Sequence, residues 1–274
     1  VRGVLSFLAG RSRGAGFVRA PATAAERRRA YEEDGFVAGG PLLDDEECRT
    51  LRLEFDRLFA EGHETVPVRG GRQFHKVYDL HRRSAAFAAV VTHPGLAERL
   101  AEITGLDALR VLLDQVQYKP PRVGGRNAWH RDQPSFPLAP PCTALTAWIA
   151  LDDATERTGC MRMVPGSHRF GEPSDLAFEG DGWGLAGVDG LSAYRGHPVR
   201  VVTRPVAAGH VHFHHAAVWH ASGGNATRRP RRAFAVLYVG EDDRYRGSRW
   251  TRLEGLRDGD PLDAAAPLVV RRPS

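Results

Sequence analysis

Long apolar runs are missing from this chain. No stretch approaches the roughly 20 apolar residues needed to cross a bilayer, so no membrane span is expected. The segment Val4-Leu5-Ser6-Phe7-Leu8-Ala9 is about half the usual length of a secretory core, and it runs into Gly10-Arg11-Ser12-Arg13 without a cleavage site. A cytoplasmic protein is the expectation. Cysteine is scarce too: Cys48, Cys142 and Cys160 are odd in number and widely spaced, with no C-x-x-C pair for zinc or redox work. They read as reduced thiols. Aromatic residues are absent from the basic groups Arg27-Arg28-Arg29 and Arg228 to Arg232, unlike an RNA-binding surface. The net charge of +5 and pI near 9.4 come from arginine interleaved with acids, and nucleic acid is not expected as a partner. Anionic small molecules fit that charge equally well.

The chain does have enough apolar material for a large core, 42% of 274 residues, and a single domain is the simplest reading. Residues 1–22, rich in Gly, Arg and Ala, are expected to be loosely ordered, and 23–274 to form one domain. Within it, 23–106 is mostly helical. Thr23 opens a helix that Asp34-Gly35 closes, a short Phe36-Val37 strand follows, and Asp44 with Glu47 forms a capping-box pattern before Leu51, Phe55 and Leu58. Another helix is predicted from Pro94 to Ile103. From 107 to 240 the pattern changes to many short strands separated by Gly, Pro and Asn clusters, which indicates a sandwich or barrel of jelly-roll type. Residues 170–198 lack a period and read as a loop or lid, and 241–274 as a C-terminal extension. No internal repeat is visible.

The chemistry starts at Trp129-His130-Arg131-Asp132. On an extended segment one intervening residue sends His130 and Asp132 to the same side. Two imidazoles and one carboxylate are the donor set that holds mononuclear iron(II) while leaving positions open. A third ligand has to come from elsewhere. Residues 209–225 offer five histidines, His210, His212, His214, His215 and His220, and spacing alone does not choose among them. Taken by itself, His-x-Asp is also compatible with a core-edge histidine beside an unrelated carboxylate.

Together with His130-Arg131-Asp132, the runs Gly159-Cys160-Met161-Arg162-Met163-Val164-Pro165-Gly166-Ser167-His168 and His220-Ala221-Ser222-Gly223-Gly224-Asn225 resemble the phytanoyl-CoA dioxygenase family in residues, order and spacing. Tyr31-Glu32-Glu33-Asp34-Gly35-Phe36-Val37 and Leu42-Leu43-Asp44-Asp45-Glu46-Glu47 resemble its amino-terminal signature, so the likeness runs from about residue 28 to residue 240. The resemblance implies a mainly β, double-stranded β-helix (a cupin-like jelly roll) with the helical part packed on it. It also implies an iron(II) dioxygenase that uses 2-oxoglutarate and dioxygen and releases succinate and carbon dioxide. It selects His220 as the distal ligand, so that His130, Asp132 and His220 carry catalysis, with His215 not a ligand and His210, His212 and His214 as strand residues near the site. The family more often has Gly-Asp where this chain has Gly209-His210.

The cosubstrate's far carboxylate needs a cation, and the planar fork of arginine suits it. By family count, eleven positions after His220, that is Arg231. Arg232 is the alternative, since neighbours on a strand face opposite sides. Ser222 resembles the family serine on the same carboxylate, with a turn hydroxyl as the competing role, and Trp148 matches a pocket tryptophan, with core packing as its rival. Gln115, Gln117 and Lys119 alternate on one strand face, and Gln117 is the first choice for cosubstrate contact. Candidate substrate contacts are Gln73, Phe74, His75, Phe136, Trp183 and Tyr194. Gly166-Ser167-His168 reads as a structural turn. Related halogenases lack the carboxylate that Asp132 supplies, which favours hydroxylation over halogenation and leaves desaturation, epoxidation, epimerisation and ring formation open. The expected substrate is a small metabolite or natural-product intermediate. The rival readings are a nucleic-acid-directed oxygenase of the same superfamily and a non-catalytic jelly roll that binds metal or ligand. Oligomeric state has no signal in the sequence.

Overall fold

The computed structural model describes residues 16–68, 72–179, 184–247, 253, 255–263 and 265–273. Its first element, α1 (Ala24–Asp34), starts where the sequence predicts: Thr23 Oγ accepts from the Glu26 amide at 3.2 Å and the Glu26 carboxylate from the Thr23 amide at 3.0 Å. Gly35 ends it in the left-handed conformation, φ 79°. β1 (Phe36–Pro41) is longer than the expected Phe36-Val37 piece. α2 (Asp45–Glu61) carries the second capping box on Asp44 and Glu47 and buries Cys48, Leu51, Phe55 and Leu58. Then come β2 (Glu64–Val68), β3 (Arg72–Tyr78), α3 (Leu80–Arg83), α4 (Ala85–Val91) and α5 (Pro94–Thr104), which Gly105 closes.

The strand-rich part follows with β4 (Ala108–Lys119), β5 (Asn127–His130), β6 (Leu145–Ala150) and β7 (Met161–Met163). Among its described residues, the aperiodic stretch 170–198 holds only short elements: the small pairs β8 (Phe178–Glu179) with β9 (Gly184–Leu185) and β10 (Ala193–Tyr194) with β11 (His197–Pro198), and a 3-10 turn at Val188–Gly190. β12 (Val202–Arg204), β13 (His210–His215), β14 (His220–Ser222), β15 (Arg231–Gly240) and β16 (Val269–Arg271) complete the chain.

Two sheets result. The larger runs β1-β13-β6-β15-β4-β3-β2, with β16 also on β4, and the smaller runs β12-β7-β14-β5. Thus 23–106, although mostly helical, gives three strands to the large sheet, and the C-terminal extension returns to it through β16. Sequence reading missed β2 and β3. β2 is an edge strand with exposed positions, so polar residues and Pro67 dilute the alternation that marks a half-buried strand.

Register decides what faces the space between the sheets. In the large sheet Arg231 pairs with Lys119, Ala233 with Gln117 and Ala235 with Gln115, while Trp148 lies between Ala235 and His212. These side chains share the inner face. The alternate positions, Arg232, Phe234, Val236 and Tyr238, face outward, and the three apolar ones join the main core with Leu51, Phe55, Leu58, Phe87, Val91 and Leu100 of the helices. All ten residues of β15 are buried because both of its faces are covered. Lys119 reaches Ser222 of the small sheet and Arg204 reaches His212 of the large one, so polar contacts cross the interior. No helix among the described residues is long and apolar enough to cross a membrane.

Candidate active site

His130 ends β5 and His220 begins β14, and the two are direct cross-strand partners, with ring centroids 4.1 Å apart. Each Nδ1 is bound to a carbonyl two residues earlier: His130 to Ala128 O at 2.8 Å and His220 to Val218 O at 3.0 Å. Donation from Nδ1–H fixes the tautomer and leaves each Nε2 lone pair free, as a metal-ligating histidine requires. Asp132, in the turn after β5, places Oδ1 3.5 Å from His130 Nε2 and 3.7 Å from His220 Nε2. The three donor atoms lie within 4.8 Å of one another. Burial and the neighbouring His130 push the His220 imidazole down to about 3, so it stays neutral. Burial would raise the Asp132 carboxyl, but the polar surroundings formed by the His220, His130 and His214 imidazoles hold it well below the usual range. Two imidazoles and a carboxylate are a donor set that fits iron(II).

Deeper in the same space, Arg231 is 1% exposed and its Nε has no hydrogen-bond partner. Its Nη1 reaches only the Gln117 carbonyl, at 3.4 Å, and its guanidinium lies 5.7 Å from the Trp148 ring centroid. Burial pulls it down to about 10, still charged at neutral pH. Arg232, on the outer face, is bound to Asp152 at 2.8 Å and Asp56 at 3.2 Å. Opposite Arg231, the buried Lys119 Nζ donates to Ser222 Oγ at 2.7 Å and to Gly223 O at 2.5 Å. Because Ser222 Oγ accepts from Lys119, its own proton is left to donate into the pocket. Asn225 ties this loop down by donating to Lys119 O and Arg229 O. Gly159 does so by close approach: at φ +87° a Cβ there would sit 2.3 Å from Gly223 O. Ser167 of the Gly-Ser-His turn accepts from the Trp219 amide at 2.8 Å and so holds the segment entering His220.

The structure therefore brings together His130, Asp132 and His220, and, on the neighbouring inner wall, Arg231, Ser222, Gln117 and Trp148, whose Nε1 is 3.4 Å from Gln117 Oε1. The substrate candidates divide. Phe74 is on the inner face, 5.4 Å from Lys119 Nζ, and Phe136 packs half-buried with Leu138 and Leu237 just after the metal turn. Gln73 is exposed at the strand end, and its side chain reaches His75. His75 faces the other way, against Phe59, His63 and Tyr118, because its register partner Tyr118 is an outward position of β4. Tyr194 is buried against Phe170 and Trp219 and donates to Asp175, outside the cavity. Trp183 lies outside the described residues. His215 accepts from the Ala217 amide and its ring lies near His168, away from the triad. Lys119 was visible in the alternation of β4 but ranked below Gln117. Thr146 and His214 both lie on Asp132; His214 is expected from sequence as a strand residue near the site, but neither is expected to touch the carboxylate. His214 carried the weak signal of an inward strand position, and Thr146 carried none.

Comparison with known proteins bears on this arrangement. The sequence model of the family "Phytanoyl-CoA dioxygenase (PhyH)" matches residues 31–233. The peroxisomal phytanoyl-CoA dioxygenase of Mus musculus is 26% identical over 237 residues, 79% of this chain and 68% of that protein. An ectoine dioxygenase of Bordetella parapertussis is 28% identical over 55% of this chain and 51% of its own length. Among solved structures, the epimerase SnoN, in complex with Fe3+, alpha ketoglutarate and nogalamycin RO, is 30% identical, with a TM-score of 0.75 over 88% of this chain and 96% of its own. The carbocyclase SnoK from nogalamycin biosynthesis is 31% identical, with a TM-score of 0.74 over 89% and 96%.

Proposed function

The chain belongs to the phytanoyl-CoA dioxygenase family, and from that premise we propose an iron(II)- and 2-oxoglutarate-dependent dioxygenase that oxidises a C–H bond of a small natural-product intermediate. The observation that carries this reading is the pairing of two incomplete polar sites between the two facing sheets. One is the His130, Asp132 and His220 donor set; the other is Arg231, a buried cation with an unpartnered Nε and no ion pair among the described residues. A five-carbon dianion with a carboxylate at each end would serve both. His130, Asp132 and His220 hold the iron, whose chemistry with 2-oxoglutarate and dioxygen supplies the oxidising power and leaves succinate and carbon dioxide. Arg231 binds the far carboxylate, Ser222 donates to it, and Lys119 keeps that hydroxyl turned inward. Trp148 and Gln117 wall the same pocket, and Phe74 and Phe136 are the candidate substrate contacts that the cavity retains.

The intact Asp132 supports oxygenation at carbon over halogenation. The likeness to SnoN and SnoK puts epimerisation and ring closure beside hydroxylation as outcomes. A cytoplasmic setting fits the three free cysteines. The test is 2-oxoglutarate-dependent succinate formation across a panel of small metabolites. His130→Ala, Asp132→Ala and His220→Ala are each expected to reduce it to background. Full activity in His220→Ala would overturn the site, and DNA- or RNA-stimulated turnover that fades steeply with salt would overturn the substrate class.

A further inference from the structure

The two imidazoles of the triad are oriented by backbone carbonyls, but Asp132 has no such support. A carboxylate has two chemically equivalent oxygens and a broad, soft terminal torsion, so something must decide which oxygen faces the metal. In this chain Oδ1 faces both imidazoles, while Oδ2 faces the opposite wall, 3.2 Å from Thr146 Oγ1 and 3.3 Å from His214 Nε2.

We propose that Thr146 and His214 are positioning residues that clamp Oδ2 of Asp132 and thereby assign Oδ1 to the metal. Thr146 and His214 are register partners on β6 and β13 of the large sheet, whereas Asp132 follows β5 of the small one. The clamp therefore spans the two sheets and fixes the carboxylate against the wall opposite its own strand. His214 is 2% exposed and its Nδ1 has no partner among the described residues, so the one hydrogen bond its ring makes there is through Nε2. A proton on Nε2 makes it a donor to Oδ2, with the bare Nδ1 turned away. It is not itself within the group of donor atoms that lie within 4.8 Å of one another, although its ring stands 4.8 Å from that of His220. Two residues along, His212 Nε2 accepts from Arg204 Nε at 3.1 Å, so the inward histidines of β13 divide: one is held by arginine, the other holds Asp132.

This inference rests on the metal reading of the triad, and the experiment separates the two. Metal-free protein is titrated with Mn(II) and Co(II) by calorimetry, and the Co(II) absorption spectrum is recorded. His214→Phe is expected to weaken binding about ten- to a hundredfold, the range typical of lost outer partners, and to alter the Co(II) spectrum. Thr146→Val should weaken it less, and His214→Gln, whose amide reaches a similar position, should restore most of the loss. Wild-type affinity and spectrum in His214→Phe overturn the clamp. Complete loss of binding in both His214 variants, matching His220→Ala, also overturns it by making His214 a ligand. Should His214→Phe fail to fold, the shape-matched Thr146→Val decides: an unchanged affinity and spectrum overturn the proposal. Failure of wild-type protein to bind either metal removes the site reading itself.

Discussion

The two faces of the β4–β15 pair treat polar groups in opposite ways. On the outer face, under the helices, partners are supplied by the chain. Asp114 accepts from the Leu80 amide at 2.8 Å, Arg232 is bound by Asp152 and Asp56, and Tyr238 donates to Val91 O at 2.8 Å. On the inner face, Arg231 Nε and Gln115 Oε1 are buried without partners, and Lys119 is offered only neutral oxygens. Leaving a buried polar group unmatched costs about 1–3 kcal/mol, more for a charged one. Groups like Asp114 and Arg232 support the fold, whereas the inner ones are those that a ligand would satisfy under the proposed function.

Adjacent arginines give the sharpest way to break that comparison. Arg231→Gln is expected to weaken 2-oxoglutarate binding on the order of a hundredfold, about 3 kcal/mol for a lost charge-assisted fork, with little loss of thermal stability because no protein partner is stranded. Calorimetric titration and a melting curve check both halves. Arg232→Ala should do the reverse: it removes the main partner of Asp152, leaving it only Arg52, at 3.9 Å, as a cationic partner, and costs about 1–3 kcal/mol, a few degrees of melting temperature, with 2-oxoglutarate affinity nearly unchanged. An exchange of these outcomes would mean that the β15 register is off by one.

A smaller effect tests the inner face alone. Lys119→Met is expected to weaken 2-oxoglutarate binding roughly tenfold by releasing Ser222, without destabilising the chain, since a desolvated cation is removed. Ser222→Ala added to Lys119→Met should then cost little more, and a double-mutant cycle measures that coupling. The mildest test uses pH. Burial pushes His168 down to about 4 and lowers His215 and His75. For a lowered pKa the unfolded chain takes up protons first, so stability is full above the ordinary histidine range and falls as pH drops toward the folded value. The melting temperature of metal-free protein should therefore decline from pH 7 to pH 5, and His168→Gln should flatten that decline.

What could be read from the sequence was what is encoded locally. Asp44 with Glu47 is hydrogen-bonded at the spacing that predicted its helix, and the helix expected to start near Thr23 does so; His130 and Asp132 converge, but with Asp132 in the turn after β5 (φ −73°, ψ −34°) rather than on the expected extended segment. Features that depend on register could not be read. Nothing near His75 shows that it pairs with outward-facing Tyr118, and nothing near Tyr194 shows that Trp219 and Asp175 would draw it out of the cavity. Thr146 reached the site only because β6 lies beside β13, a contact between distant segments. Choosing among five histidines between 209 and 225 likewise needed the family's pattern, since each sits on or beside a strand and spacing ranked none above the rest.

The pairing of His220 opposite His130 also bears on how long a molecule survives. It joins residues 127–130 to residues 220–222, and closing so large a loop delays its formation until the rest of the sheet is in place. A contact made after the folding transition state acts on the rate of unfolding and leaves the rate of folding alone. A metal ion bound across that seam, as the proposed function requires, would slow unfolding, and metal-free protein is expected to unfold faster than metal-loaded protein.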